Sequence, residues 1–191
     1  MHKIITFYYE DHDLINTMYD GASYVWTDHF MYTRNAIISA LASLGDLPDV
    51  MARLMKNQED IGATMIPFYK TEDIDSYVAL LKGHIDIAGE LVTAVKASQP
   101  TDEIMARWSA NGDDIVNLMA GMNPVYWDAT ALGDIWKEHL RLTALEMTTR
   151  FASDWTGDIA AADAGHKCMM EFSDAFSEGI VFHHMEMFSK K

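Results

Sequence analysis

Apolar residues recur along most of this chain at intervals of three and four, the period of an amphipathic helix, and the period pauses at each of the prolines 48, 67, 100 and 124. A first helix begins near Leu14 and carries the stripe Trp26, His29, Phe30, Thr33, Ile37, Leu41 and Leu44 before Gly45 closes it. A second opens at Asp46-Leu47-Pro48-Asp49, with proline in its first turn and acids near the positive end of the helix dipole, and runs through Leu54, Asn57 and Ile61 to Met65. Pro67-Phe68-Tyr69 stops it. The third starts at Thr71-Glu72-Asp73 and shows Tyr77, Leu81, His84, Ala88, Leu91 and Val95 on one face. After Ser98-Gln99-Pro100, Thr101-Asp102-Glu103 caps a fourth helix with Ile104, Trp108, Asn111, Ile115 and Met122. A fifth takes Leu132, Trp136, His139, Thr143, Glu146, Met147 and Phe151, and a last one, from near Asp158, takes Ala162, His166, Met169 and Phe176. The β-branched residues follow period 3.6 rather than period 2, so no strand is expected and the fold class is all-α.

The helices are related to one another. Trp26-Thr27-Asp28-His29-Phe30-Met31-Tyr32-Thr33 and Trp136-Lys137-Glu138-His139-Leu140-Arg141-Leu142-Thr143 share the skeleton W-x2-H-x3-T, and a weaker copy around His84 lies between them. His29, His84 and His139 are each 55 residues apart. Asn57-x2-Asp60-Ile61 likewise matches Asn111-x2-Asp114-Ile115, and Pro67-Phe68-Tyr69 has a counterpart in Pro124-Val125-Tyr126. These copies predict an antiparallel, up-and-down bundle of about six helices, built from three hairpin repeats at approximately 14–70, 71–126 and 127–191. A hairpin cannot bury its own apolar face, so the three form one domain over 1–191, with 1–13 as an N-terminal extension. Glu171-Phe172-Ser173-Asp174 is the nearest match to the Asn-containing element in the third copy.

Composition narrows the classes of function. With 49% hydrophobic residues the chain can bury a full core. Its net charge of -15, from 29 acidic against 14 basic residues, excludes nucleic acid and anionic membrane as partners, since both would be repelled. No stretch approaches the roughly 18 to 20 apolar residues of a membrane helix, and the N-terminal apolar run is too short for a signal peptide, so a cytoplasmic location is expected. Cys168 is the single cysteine, which precludes an intramolecular disulfide. The 14 methionines stand at helical spacing and read as packing rather than as soft-metal boxes.

The candidate chemistry lies in the three histidines, each on the apolar stripe of its helix. One reading makes His29, His84 and His139 ligands of a transition metal, zinc, iron or manganese, with Glu146 as a further ligand or proton-transfer group. Asn57, Asp60, Asn111, Asp114, Thr33 and Thr143 would orient the imidazoles, and His166 and Asp174 are alternative ligands. The other reading makes His29–Asp60 and His84–Asp114 buried polar pairs that only fix the register of a structural or interaction bundle. His183-His184 reads as end-packing, its two rings pointing to different sides of a helix. There is no H-E-x-x-H, no pair of E-x-x-H motifs, no C-x2-C and no phosphate loop, so the sequence assigns no reaction and leans to binding. A homo-oligomer and a small-molecule ligand remain open as partners.

Taken together, W-x2-H-x3-T-R at Trp26 to Arg34, N-x2-D-I-G at Asn57 to Gly62, P-F-Y at Pro67 to Tyr69 and the second W-x2-H-x3-T resemble those of a group of small bacterial and archaeal helical proteins. The resemblance implies an all-helical bundle and no particular activity. A broader likeness to ferritin-like, hemerythrin-like and DinB-like metal bundles is one of fold, because the ligand spacings of all three are missing here.

Overall fold

The computed structural model describes residues 14–188, which form an all-α bundle. Among them are seven helices and no strand: α1 Leu14–Ala42, α2 Leu47–Met65, α3 Thr71–Lys96, α4 Asp102–Met122, α5 Ala129–Phe151, α6 Trp155–His183 and the single turn α7 Met185–Phe188. The expected N-terminal extension, 1–13, lies outside the described residues. No helix among them is long and apolar enough to cross a membrane.

Most of each amphipathic stripe turns inward as its period requires, but Leu44 and Phe151, at the ends of theirs, are exposed because α1 stops at Ala42 and Phe151 is the last residue of α5. Trp26, Leu81, Trp136, Ile61, Ile115, Phe172 and Phe176 form one continuous core, each almost fully buried. α5 lies most extensively along α6, α1 along both α2 and α6, and α3 along α4, while α1, α3 and α5 meet one another in the interior. The contact between α6 and α1 closes the bundle, joining its last long helix to its first.

The helix ends follow local rules. Asp128 and Asp154 accept hydrogen bonds from Ala131 N at 2.8 Å and Gly157 N at 3.0 Å, capping α5 and α6. Asp46 and Thr101 precede α2 and α4 without a side-chain capping bond, and the cap position of α3 is Lys70 rather than Thr71. The first helix ends at Ala42 rather than at Gly45, because the left-handed residue that terminates it is Ser43, at φ 54°. Ser98 and Ser153, at φ 53° and 60°, do the same for α3 and α5. At all three ends the same two bonds form. Leu44 N, Gln99 N and Asp154 N reach back five residues to Ser39, Ala94 and Thr149, each at 2.9 Å, and the serine amides reach back three residues to Ala40, Val95 and Arg150. The three serines are 55 residues apart, as the histidines are.

Two indoles replace side chains on neighbouring helices. Trp136 lies so close to Gly112 that a Cβ there would sit 2.4 Å from its ring, and Trp127 approaches Gly179 more closely still. At Gly21, within α1, an added Cβ would meet nothing within 4 Å. Glycine costs a helix up to about 1 kcal/mol relative to alanine, so Gly21→Ala should raise stability by about that amount. Gly112→Ala should instead lower it by about 1 to 3 kcal/mol, the usual range for overpacking against a rigid core side chain. Urea unfolding of the two variants checks the opposite signs.

Candidate functional site

A recurrent backbone contact sets the height of each histidine. The carbonyl four residues before it, already bonded within its own helix, accepts a second bond from a side chain on the following helix. Asn57 Nδ2 donates to Val25 O at 2.9 Å and Asn111 Nδ2 to Leu80 O at 3.1 Å. In the third instance Cys168 Sγ donates to Ile135 O at 3.4 Å. Cys168, rather than the segment 171–174, therefore occupies the place of the two asparagines. A thiol is a weaker donor than an amide and leaves no motif for sequence comparison to find.

With the helices pinned in this way, the three imidazoles come together in the core. The ring centroids of His29 and His139 are 5.9 Å apart and those of His84 and His139 5.8 Å apart. The residues are 1%, 1% and 4% exposed for His29, His84 and His139. Indole rings wall the cluster: Trp26 stands edge-on to His29 at 5.5 Å, Trp108 stacks on His84 at 4.9 Å, and Trp136 stands edge-on to His84 and His139 at 5.4 and 5.7 Å. Trp108 also donates its Nε1–H to His84 O at 3.1 Å, while the buried Nε1 atoms of Trp26 and Trp136 have no partner.

Burial keeps all three imidazoles neutral at pH 7. Desolvation is the main cause throughout. It brings His29 down to about 4 against the pull of Asn57 and Gln58, and His84 down to about 3 with help from the neighbouring His29. His139 is pushed well below its ordinary value by burial and by the other two rings. The hydrogen bonds also select a tautomer. The Asn111 amide nitrogen is spent on Leu80 O, so its Oδ1 faces His84 Nδ1 at 3.0 Å and that nitrogen must carry the proton. His84 Nε2 is thereby left as a bare lone pair, buried and without a partner. His139 follows the same logic, because Thr143 donates its hydroxyl to His139 O at 2.9 Å and turns its oxygen lone pairs toward His139 Nδ1 at 3.4 Å. At His29 the neighbour is the Gln58 amide nitrogen, 3.4 Å from Nδ1.

The orienting groups are thus Gln58, Asn111 and Thr143, not the two aspartates and not Thr33, whose Oγ1 bonds to nothing. Asp60 lies at the bundle rim, where Lys56 and Arg53 hold it at 2.7 and 3.2 Å, and Asp114 is exposed. The pairs His29–Asp60 and His84–Asp114 do not form, because a buried carboxylate would cost far more than the amides that stand there. His166 and Asp174 are also exposed, His166 lying against Phe30. The rings of His183 and His184 stack at 4.5 Å rather than diverging, because α6 ends at His183 and His184 turns back onto Phe68 and Tyr69. Among the described residues no three His, Cys, Asp or Glu donors already stand in ligating geometry.

Glu146 is buried, with partners of its own. Arg34 Nη1 donates to its Oε1 at 2.6 Å and to Asp158 Oδ1 at 3.0 Å, while Arg150 donates to Asp158 Oδ2 at 2.8 Å. Desolvation raises the pKa of Glu146 in spite of Arg34. Arg34 follows directly on the first W-x2-H-x3-T, and the second copy has Ala144 there. That difference was the available sequence signal for a network joining α1, α5 and α6. Comparison of the chain with protein-family models, with curated proteins and with solved structures gives no match.

A pH dependence follows. Between the ordinary histidine value of 6.5 and the folded values near 4 for His29 and 3 for His84, the unfolded chain binds protons that the folded chain refuses. Stability is therefore complete above about pH 6.5 and falls as the pH drops below it, by up to about 1.4 kcal/mol per pH unit for each histidine. Glu146 has the opposite sign, its raised value offsetting part of the loss in acid. Urea midpoints should drop from pH 7 to pH 5, and His84→Gln should flatten that slope. A midpoint unchanged over this interval would contradict the neutral cluster.

Proposed function

We propose that this protein is a metal-binding bundle of three antiparallel helical hairpins whose histidines, one from the first helix of each hairpin, hold a transition metal between them. The observation that carries the reading is the buried, bare Nε2 of His84 within a cluster of three neutral imidazoles. A neutral imidazole whose other nitrogen donates to a neighbouring acceptor, as His84 Nδ1 does to Asn111 Oδ1, is the form in which histidine binds metal. His29 takes that form when Gln58 turns its unpartnered Oε1 toward Nδ1 in place of its amide nitrogen. The hairpin description is supported by the 55-residue spacing shared by the histidines, the left-handed serines and the pinned carbonyls of Val25, Leu80 and Ile135.

The spacing of the rings suits the purpose. Three imidazoles bound tetrahedrally to zinc through nitrogens at about 2.0 to 2.1 Å would have centroids about 5.2 Å apart. The His84–His139 and His29–His139 separations of 5.8 and 5.9 Å exceed this by about 0.6 to 0.7 Å, which the rings would close on binding. Zinc fits this all-nitrogen set best; iron and manganese usually add a carboxylate, and Glu146 is held by Arg34. The competing reading, in which the histidines only fix register, draws on the same Asn111–His84 bond.

Elemental analysis and zinc titration of the purified protein separate the two. Near-stoichiometric metal, with three nitrogen scatterers at about 2.0 to 2.1 Å by X-ray absorption, is the expected result. Single replacement of His29, His84 or His139 by alanine should abolish binding with the helix content retained, and Asn111→Ala should weaken it by about 10- to 100-fold. If the histidines serve register alone, zinc will not bind, and His84→Ala will cost about 1 to 3 kcal/mol by stranding Asn111.

A further inference from the structure

One helical turn along α1 from His29 and along α3 from His84 lies a cavity of about 160 Å³, bounded by α1, α2 and α3 with Met147 of α5 at its inner end. Its wall is almost wholly apolar, with Ala36, Leu54, Ile85 and Val92 on its sides and Met51 and Met147 facing it, and it reaches the surface beside the exposed Thr93. A dry apolar cavity of roughly 150 Å³ is large enough to take up benzene. Methionine sulfur makes favourable contacts with aromatic rings, so the two methionines suit a flat ring better than a branched alkyl chain.

One polar group on the wall lacks a partner. The helical threonines 64, 93, 143, 148 and 149 each donate back to a carbonyl three or four residues earlier. Thr33, at the position in α1 that Thr143 holds in α5, does not, and its buried Oγ1 is bonded to nothing. Thr33 is itself one of the residues that line the cavity, so this unpartnered hydroxyl is the polar group a bound molecule would meet there. We propose that the cavity binds a small aromatic molecule of about benzene size carrying one hydrogen-bonding substituent, which Thr33 receives. This goes beyond the metal reading and does not depend on it.

Phenol and toluene are the probes, with the methyl signals of Met51 and Met147 in a methionine-methyl-labelled protein as the readout. Both probes should shift these two methyls, and phenol should bind about fivefold more tightly, the equivalent of one ordinary hydrogen bond. Thr33→Val should remove that preference while leaving toluene affinity unchanged. Gly89 lines the cavity, and a Cβ added there meets nothing within 4 Å. Gly89→Leu should therefore fill the space and abolish binding of both probes, with a Tm no lower than the parent's, since leucine is the better helix former. His139→Ala removes an imidazole but no wall residue, and should bind phenol as the parent does whatever its effect on zinc. No shift at Met51 and Met147, binding that survives in Gly89→Leu, equal affinity of the parent for phenol and toluene, or loss of phenol binding in folded His139→Ala would each overturn the proposal.

Discussion

Three imidazoles buried side by side impose the constraint from which much of this bundle follows. A neutral imidazole removed from water needs a partner for at least one nitrogen, and each here finds it in Gln58, Asn111 or Thr143. Those partners work only at one helix register. The second bonds from Asn57, Asn111 and Cys168 to the carbonyls of Val25, Leu80 and Ile135 hold that register, tying each histidine-bearing helix to the one after it. The indoles of Trp26, Trp108 and Trp136 then exclude water from the cluster, and Gly112 is thin enough to let Trp136 reach it.

Charge is kept apart from this cluster. Glu146 and Asp158 are buried carboxylates, but Arg34 and Arg150 neutralise them and tie α1 and α5 to the start of α6. In a chain of net charge -15 this network prevents two buried acids from acting on the imidazoles as unpaired anions. The three imidazoles remain uncharged within the core.

The helices and their inward faces were legible in the sequence because the 3.6-residue period is strong, and the prolines and cap residues mark the breaks. The spacing of His29, His84 and His139 likewise placed the three rings at one level, and they meet in the core. Their partners were less legible. Asp60 and Asn57 are three residues apart on α2, a rotation of about 60° around the axis, and that rotation separates the core from the rim where Arg53 and Lys56 bind Asp60. Gln58 has no counterpart at the matching position of the second copy, where Gly112 stands, so the repeat could not point to it. The network of Arg34, Glu146 and Asp158 joins residues more than a hundred positions apart, beyond the reach of any periodic argument, and Ser43 rather than Gly45 ends α1 because the hydrogen bonds of the last turn close one residue after Ala42.

The state of the three imidazoles is the centre of this account, and long-range proton–nitrogen NMR of the histidine rings at pH 7, before and after one equivalent of zinc, tests it directly. Neutral rings are predicted, with the proton on Nδ1 and a bare Nε2 at His84 and His139, and the ring nitrogens of His29, His84 and His139 should move together to metal-bound positions as zinc is added. Imidazolium signals at pH 7, or three rings that ignore zinc, would contradict it.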